Sequence, residues 1–121
     1  VKVMTYNLFW WNLYGIRNGD GASASKLIDK FNSPPYDVMG FQECEDPRRV
    51  LADAGLEDTY EVTHEKEHNI CLAFHRARWT RLAGGVREVA EDSQAQYYGR
   101  RAAQWVRLRR NVPDGGVVFF V

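Results

Sequence analysis

The sequence predicts a mixed α/β (α+β) fold, and three observations carry that reading. Strand and helix signals alternate over the first half of the chain in the order β-α-β-α. From Asp58 onward the texture changes to a run of roughly five strand-like segments separated by turn residues. The chain has 121 residues, 45% hydrophobic and 26% charged, which suits one globular core and argues against disordered, collagenous or disulfide-stapled sequence. Strands alternating with helices, then strands linked as hairpins, build a mixed sheet with helices on one face.

Val1-Lys2-Val3-Met4-Thr5-Tyr6-Asn7-Leu8 is rich in β-formers and alternates, so it reads as the first strand. An aromatic loop from Phe9 to Gly15 and the turn-like Asn18-Gly19-Asp20-Gly21 follow. Ala24, Leu27, Ile28 and Phe31 then recur at i, i+3, i+4 and i+7, one face of a helix. Ser23 suits its N-cap, and Pro34-Pro35 stop it. Tyr36 to Gln42 reads as a second strand, ending at Glu43-Cys44-Glu45. Asp46-Pro47 has N-cap chemistry with proline at the first helical position. Val50, Leu51 and Ala54 give that short helix its apolar face, and Gly55 ends it. Thr59–Thr63, Asn69–His75, Trp79–Val89, Arg101–Arg109 and Val117–Val121 read as strands. Glu65-Lys66-Glu67, Gly84-Gly85 and Pro113-Asp114-Gly115-Gly116 carry the turns between them.

Sixteen basic and sixteen acidic side chains cancel, yet they are unevenly placed. Residues 1–75 carry 7 basic and 12 acidic groups; residues 76–121 carry 9 arginines and 4 acidic groups. A basic half attracts phosphate or nucleic acid, while the simpler reading is that two halves of one domain neutralise each other. Cys44 and Cys71 stand alone in apolar runs without zinc-type spacing, which reads as buried free thiols, one disulfide being the alternative. No apolar run approaches the roughly 20 residues of a membrane span. The opening residues show no leader pattern, and nothing assigns a compartment. The chain opens within a strand and closes on the apolar strand Val117–Val121, so it is expected to be a fragment of a longer domain.

Polar residues gather at the ends of the predicted strands. The first strand closes on Thr5-Tyr6-Asn7, the second on Phe41-Gln42-Glu43, and a later one begins Gly99-Arg100-Arg101-Ala102-Ala103-Gln104-Trp105. Side chains at the carboxyl ends of neighbouring strands open onto a crevice, and a β-α-β unit makes the first two strands neighbours. Asn7 and Glu43 are therefore expected side by side at one sheet edge.

Tyr6-Asn7-Leu8 and Phe41-Gln42-Glu43 resemble the opening motifs of the endonuclease/exonuclease/phosphatase superfamily, with its DNase I-like fold. Arg101 followed by Trp105 within a strand is similar to that family's third landmark, and Asn69 to Phe74 resembles the strand preceding it. The resemblance runs over essentially residues 1–121. It implies the N-terminal part of a four-layer α-β-β-α sandwich, truncated after about its first half. It also implies a hydrolase of phosphate esters, a phosphodiesterase or phosphomonoesterase, working with Mg²⁺ or Mn²⁺. Glu43 matches the family's metal glutamate, and one carboxylate with several waters suits magnesium. Asn7 would position the phosphate or the metal shell; Arg101 would steer phosphate or hold a neighbouring loop. The resemblance leaves the substrate open among nucleic acids, phospholipid headgroups and small phosphate esters.

The family's Asn-Thr-His, Asp-x-Asn and Asp-His motifs have no counterparts in residues 1–121, so this chain by itself is expected to be inactive, marginally stable and in need of the remaining half of the domain. Other readings stand beside these. Asn7 suits a strand-end turn, Glu43 a solvated carboxylate, and Arg100 competes with Arg101 for any role. Asp46 is better explained as a helix cap, although it and Glu45 lie near enough to be ligands. His64 and His68 are expected to face solvent in a loop and His75 to be structural. Trp10, Trp11, Tyr14, Tyr97 and Tyr98 suit either a base-stacking platform or loop packing. A non-catalytic binding or scaffold domain of the same fold is the alternative function, and an unrelated α/β domain the third reading.

Overall fold

A computed structural model describes residues 1–9, 26, 28–97 and 99–121. Its elements are β1 (Val3–Asn7), β2 (Val38–Gln42), α1 (Pro47–Asp53), β3 (Tyr60–Glu65), β4 (Ile70–His75), β5 (Trp79–Glu91), β6 (Arg100–Arg110) and β7 (Val117–Phe120). A single 3₁₀ turn, Gln94–Gln96, lies between β5 and β6. Residues 26 and 28–31 are helical, where the 3.6-residue periodicity predicts a helix. Trp10, Trp11, Tyr14, Ser23, Ala24, Leu27 and Tyr98 lie outside the described residues.

The strands form two sheets. One has the order β1-β2-β4-β3, the other β5-β6-β7. β1 runs parallel to β2, with Val3 opposite Val38 and Asn7 opposite Gln42, as the β-α-β connection requires. β2–β4, β4–β3, β5–β6 and β6–β7 are all antiparallel. Asp46 caps α1 by accepting from the Arg49 N–H at 3.0 Å, Pro47 opens the helix, and Gly55 follows it at φ +67°.

Strand alternation sends neighbouring residues of the first sheet into two cores. Met39, Phe41, Cys71 and Ala73 pack with Ile28, Val50 and Leu51, so helical segments cover this face. Val38, Leu72 and Phe74 point the other way and meet Trp79, Val106 and Leu108 of the second sheet. The described residues thus supply three stacked layers, helix on sheet on sheet. No helix among them is long and apolar enough to cross a membrane.

Two expectations change. Gly84 and Gly85 form no turn; β5 runs straight through them. A Cβ on Gly85 would sit 3.0 Å from the Trp105 indole nitrogen, and one on Gly84 would sit 3.1 Å from the Trp105 carbonyl. These glycines therefore serve close approach to β6 rather than chain reversal. β3 also extends to Glu65, which moves the turn to residues 66–69.

Cys44 and Cys71 are buried free thiols with sulfurs 3.1 Å apart, and burial pushes the Cys71 thiol up. Tyr60 is buried beneath the helical layer, its hydroxyl 2.8 Å from the Tyr36 carbonyl, and burial raises it to about 12. His75 stacks edge-on against Tyr60 at 5.3 Å, a packing role.

Asp37, just before β2, joins the two sheets. Its buried carboxylate accepts from the Lys2 backbone N–H at 2.7 Å and the Trp79 indole N–H at 3.0 Å, and it pairs with Arg78 at 3.4 Å. Burial alone would raise its pKa. The bonds from Lys2, Trp79 and Arg78 outweigh that and hold it below the ordinary 3.8. Asp37→Ala leaves two buried donors unpaired and is expected to cost about 3 kcal/mol in denaturant unfolding at pH 7. Because the folded state lowers this pKa, the stabilisation is present above pH about 4 and is lost as pH falls through the folded value. The stability gap between wild type and Asp37→Asn should therefore shrink on acidification; a gap independent of pH from 7 to 3 would exclude this linkage.

Candidate functional site

The ends of β1 and β2 meet at one rim. Their parallel pairing brings Asn7 beside the end of β2, and the Asn7 side-chain amide donates to Glu43 Oε1 at 3.1 Å. Asn7 Oδ1 accepts in turn from the Phe9 N–H at 2.8 Å, which fixes which end of the amide faces the glutamate. Beside them Thr5 and Gln42 bond side chain to side chain, with Gln42 Nε2 donating to Thr5 Oγ1 at 3.1 Å.

Backbone strain collects at the same rim. Phe9, Glu43 and Asn69 all have positive φ, at 54°, 49° and 50°, although none is glycine. Each follows β1 or β2 or precedes β4, and the Cys44 N–H donates to the Asn69 carbonyl at 2.6 Å, locking two of the three against one another. Left-handed backbone at a glutamate costs on the order of 1 kcal/mol and persists only where the surroundings enforce it. Here it turns the Glu43 carboxylate back toward Asn7. Glu43 Oε2 is buried and has no hydrogen-bond partner among the described residues. A buried carboxylate oxygen left unpaired is costly, and a hydrogen-bond donor, a water or a cation offsets that cost.

No protein-family model matches the chain, and no curated protein does. Solved structures do. An endonuclease/exonuclease/phosphatase from Bacteroides vulgatus superposes with a TM-score of 0.67 at 16% identity, over 95% of this chain and 48% of that one. ANGEL2, a 2′,3′-cyclic phosphatase solved with adenosine-2′,3′-vanadate, gives 0.64 at 17% identity over 92% and 37%. Truncated Caenorhabditis elegans TDP2 gives 0.59 at 16% identity over 90% and 41%. The chain has the endonuclease/exonuclease/phosphatase fold. It spans about half the length, or less, of the solved structures it matches.

Within this DNase I-like fold, the two arginines of β6 part company. Gln104, Val106 and Leu108 are buried, and strand alternation puts Arg100 on their side and Arg101 on the other. Arg101 grips Asp92 with two bonds, Nε to Oδ1 at 3.1 Å and a second at 2.6 Å between the guanidinium and Oδ2. No hydrogen bond or ion pair among the described residues joins it to Asn7 or Glu43. Arg100 donates to Glu88, 3.1 Å from Oε2, and this carboxylate raises the Arg100 pKa.

His64 and His68 do not face solvent as the sequence suggests. His64 lies in β3, half-buried, with Nε2 3.0 Å from the Cys44 carbonyl. The His68 side chain is only 8% exposed and stands between Glu65 at 4.0 Å and Glu88 at 3.7 Å. Alternation along each strand could have revealed His64, whose neighbour Val62 packs on the core. His68 sits in a turn and meets Glu88 across the two sheets, a contact that no local pattern encodes.

Backbone strain at Glu43 has a clean test. Glu43→Gly and Glu43→Ala remove the same carboxylate, so the difference between them reports the left-handed φ set against glycine's larger unfolded-state entropy. The glycine variant should be the more stable by about 1 kcal/mol in paired urea titrations. An alanine variant more stable than the glycine variant would mean an unstrained backbone.

Proposed function

We propose that this chain belongs to a divalent-metal-dependent phosphoesterase, with Glu43 as the carboxylate that holds Mg²⁺ or Mn²⁺ and Asn7 as the residue that orients it. The carrying observation is the division of labour within one carboxylate: Oε1 is pinned by the Asn7 amide, and Oε2 is buried with no partner among the described residues. This donor set fits magnesium, which takes one or two carboxylates and keeps several waters. When bound, the ion supplies Lewis-acid stabilisation of the charge that develops on phosphoryl oxygens.

The chain's own residues have narrower tasks. Glu43 supplies the negative charge that attracts the cation, and its left-handed backbone keeps that charge at the rim. Asn7 is fixed through Phe9 and restrains the carboxylate to one orientation, as outer partners of metal ligands do. Arg101 enters through the second of its two implied roles: bound to Asp92, it holds the connection between β5 and β6 in place. Arg100, on the face of β6 turned toward the first sheet, is the better placed of the two to steer phosphate.

The substrate class is a phosphate ester. The cyclic-phosphate chemistry of ANGEL2 on a shared fold supports that reading and favours a nucleotide-type phosphate over a lipid headgroup. Activity is assigned to the whole domain, with residues 1–121 as its N-terminal part and the remaining half supplying the groups that activate water. In the protein carrying both halves, Glu43→Gln should weaken Mg²⁺ binding and lower turnover of a phosphodiester probe by roughly 100-fold or more. Asn7→Ala should lower it by about 10–100-fold. Magnesium dependence unchanged in Glu43→Gln would remove the assignment of Glu43, and absence of Mg²⁺-dependent turnover in the wild type would leave the scaffold reading in its place.

A further inference from the structure

We infer that the turn between β3 and β4 carries a second cation site, formed by Glu65, Glu67 and His68 and suited to a transition metal such as Zn²⁺. One ligand atom from each of the three lies within 4.8 Å of the others, close enough to share a single ion. Three side chains in a Glu-x-Glu-His turn would be unremarkable if all were solvated. His68 is not. Its side chain is 8% exposed, and its Nδ1 is buried with no hydrogen-bond partner among the described residues while facing Glu65 Oε1 at 4.0 Å. An imidazole nitrogen buried beside a carboxylate and hydrogen-bonded to no described residue has the arrangement of a ligand.

The other ring nitrogen supports the same assignment. His68 Nε2 lies 3.7 Å from Glu88 Oε1, and Arg100 holds Glu88 from behind. A histidine that binds a metal through one nitrogen commonly turns the other toward a carboxylate, which sets the tautomer and raises ligand basicity. Glu88 and Arg100 come from the second sheet, so the imidazole is oriented by residues outside its own turn. The Glu67 N–H donates to Glu65 Oε1 at 3.1 Å, which closes the turn and holds the Glu65 carboxylate over it. An open cavity of about 400 Å³, lined by Glu67, His68, Gly99 and Arg100, gives an ion and its waters a way in.

Ligand chemistry selects the ion. One imidazole with two carboxylates suits Zn²⁺, with a water completing four-coordination, whereas Mg²⁺ prefers oxygen ligands alone. The site is separate from Glu43 in its ligands but shares its rim, because Asn69, the residue after His68, accepts from Cys44, the residue after Glu43. A cation there would add positive charge beside Arg100, where a phosphate would approach.

The test is a Zn²⁺ titration by calorimetry of the protein carrying both halves, with Mg²⁺ in excess, in a non-chelating buffer at pH 7. One equivalent should bind beyond any taken up at Glu43, with affinity about tenfold or more weaker in both His68→Ala and Glu67→Gln. Glu67 is exposed, so its variant decides the matter if loss of His68 disturbs folding. The His68 Nδ1 resonance should shift on adding Zn²⁺ to wild type. Absence of binding, undiminished binding in Glu67→Gln, or loss of binding only in Glu43→Gln would each overturn the site. Failure of this site leaves the Glu43 reading standing, and the reverse holds too.

Discussion

The structure depends on β2 being buried on both faces. Val38 is sealed against the second sheet, and Met39 and Phe41 are sealed against the helical layer, so this five-residue strand belongs to both cores at once. A strand placed in that way cannot slip. A shift of one residue would carry Met39 into the sheet interface and Val38 beneath the helices, exchanging every buried contact. Its partners on either side, β1 and β4, inherit its register. The end of β2 therefore stands at a fixed place, and Glu43 is the next residue along.

Fixed strand ends let polar and strained residues persist. Phe9, Glu43 and Asn69 occupy left-handed backbone at one rim of one sheet. Strain of this kind relaxes in a mobile loop. It survives where neighbouring strands over-determine the backbone, as the Cys44–Asn69 bond does here and as the bond from the Leu8 N–H to the Gln42 carbonyl at 2.8 Å does beside it. Stability is spent along the edge where Asn7 meets Glu43, and it is recovered in the apolar faces that β2 shares with its neighbours.

Much of this was legible in the sequence because its signals are local. Alternating β-formers mark β1, β3, β4, β6 and β7 to within a few residues, and Asp46-Pro47 marks the start of α1. The proximity of Asn7 and Glu43 also follows from pattern, since a β-α-β unit puts two strand ends side by side. What escaped depends on the distance between layers. Gly84-Gly85 has the composition of a turn, but Trp105 on the next strand needs the room. Arg100 and Arg101 differ by one residue, and only the buried Gln104, Val106 and Leu108 show which of them shares the face of β6 turned toward the first sheet. His68 reads as a solvated turn residue until the second sheet brings Glu88 against it.

The rim is built from both sheets, and that makes the far end of the molecule matter. Asn7, Glu43 and His68 belong to the first sheet or its turns, while Glu88 and Arg100 belong to the second. Their spacing is set by how the sheets stack, and β2 starts at the Asp37 clamp and ends at the rim. Five residues at roughly 3.3 Å each separate those two ends by about 17 Å. Over that length a small rotation of one sheet on the other, pivoting at Trp79, would be magnified into a displacement of Arg100 relative to Glu43. The buried contacts of Val38, Leu72 and Phe74 with Val106 and Leu108 join the two sheets, and their close packing resists that rotation. The geometry of charge at the candidate site is thus a consequence of apolar packing beneath it and of one buried carboxylate at the opposite end.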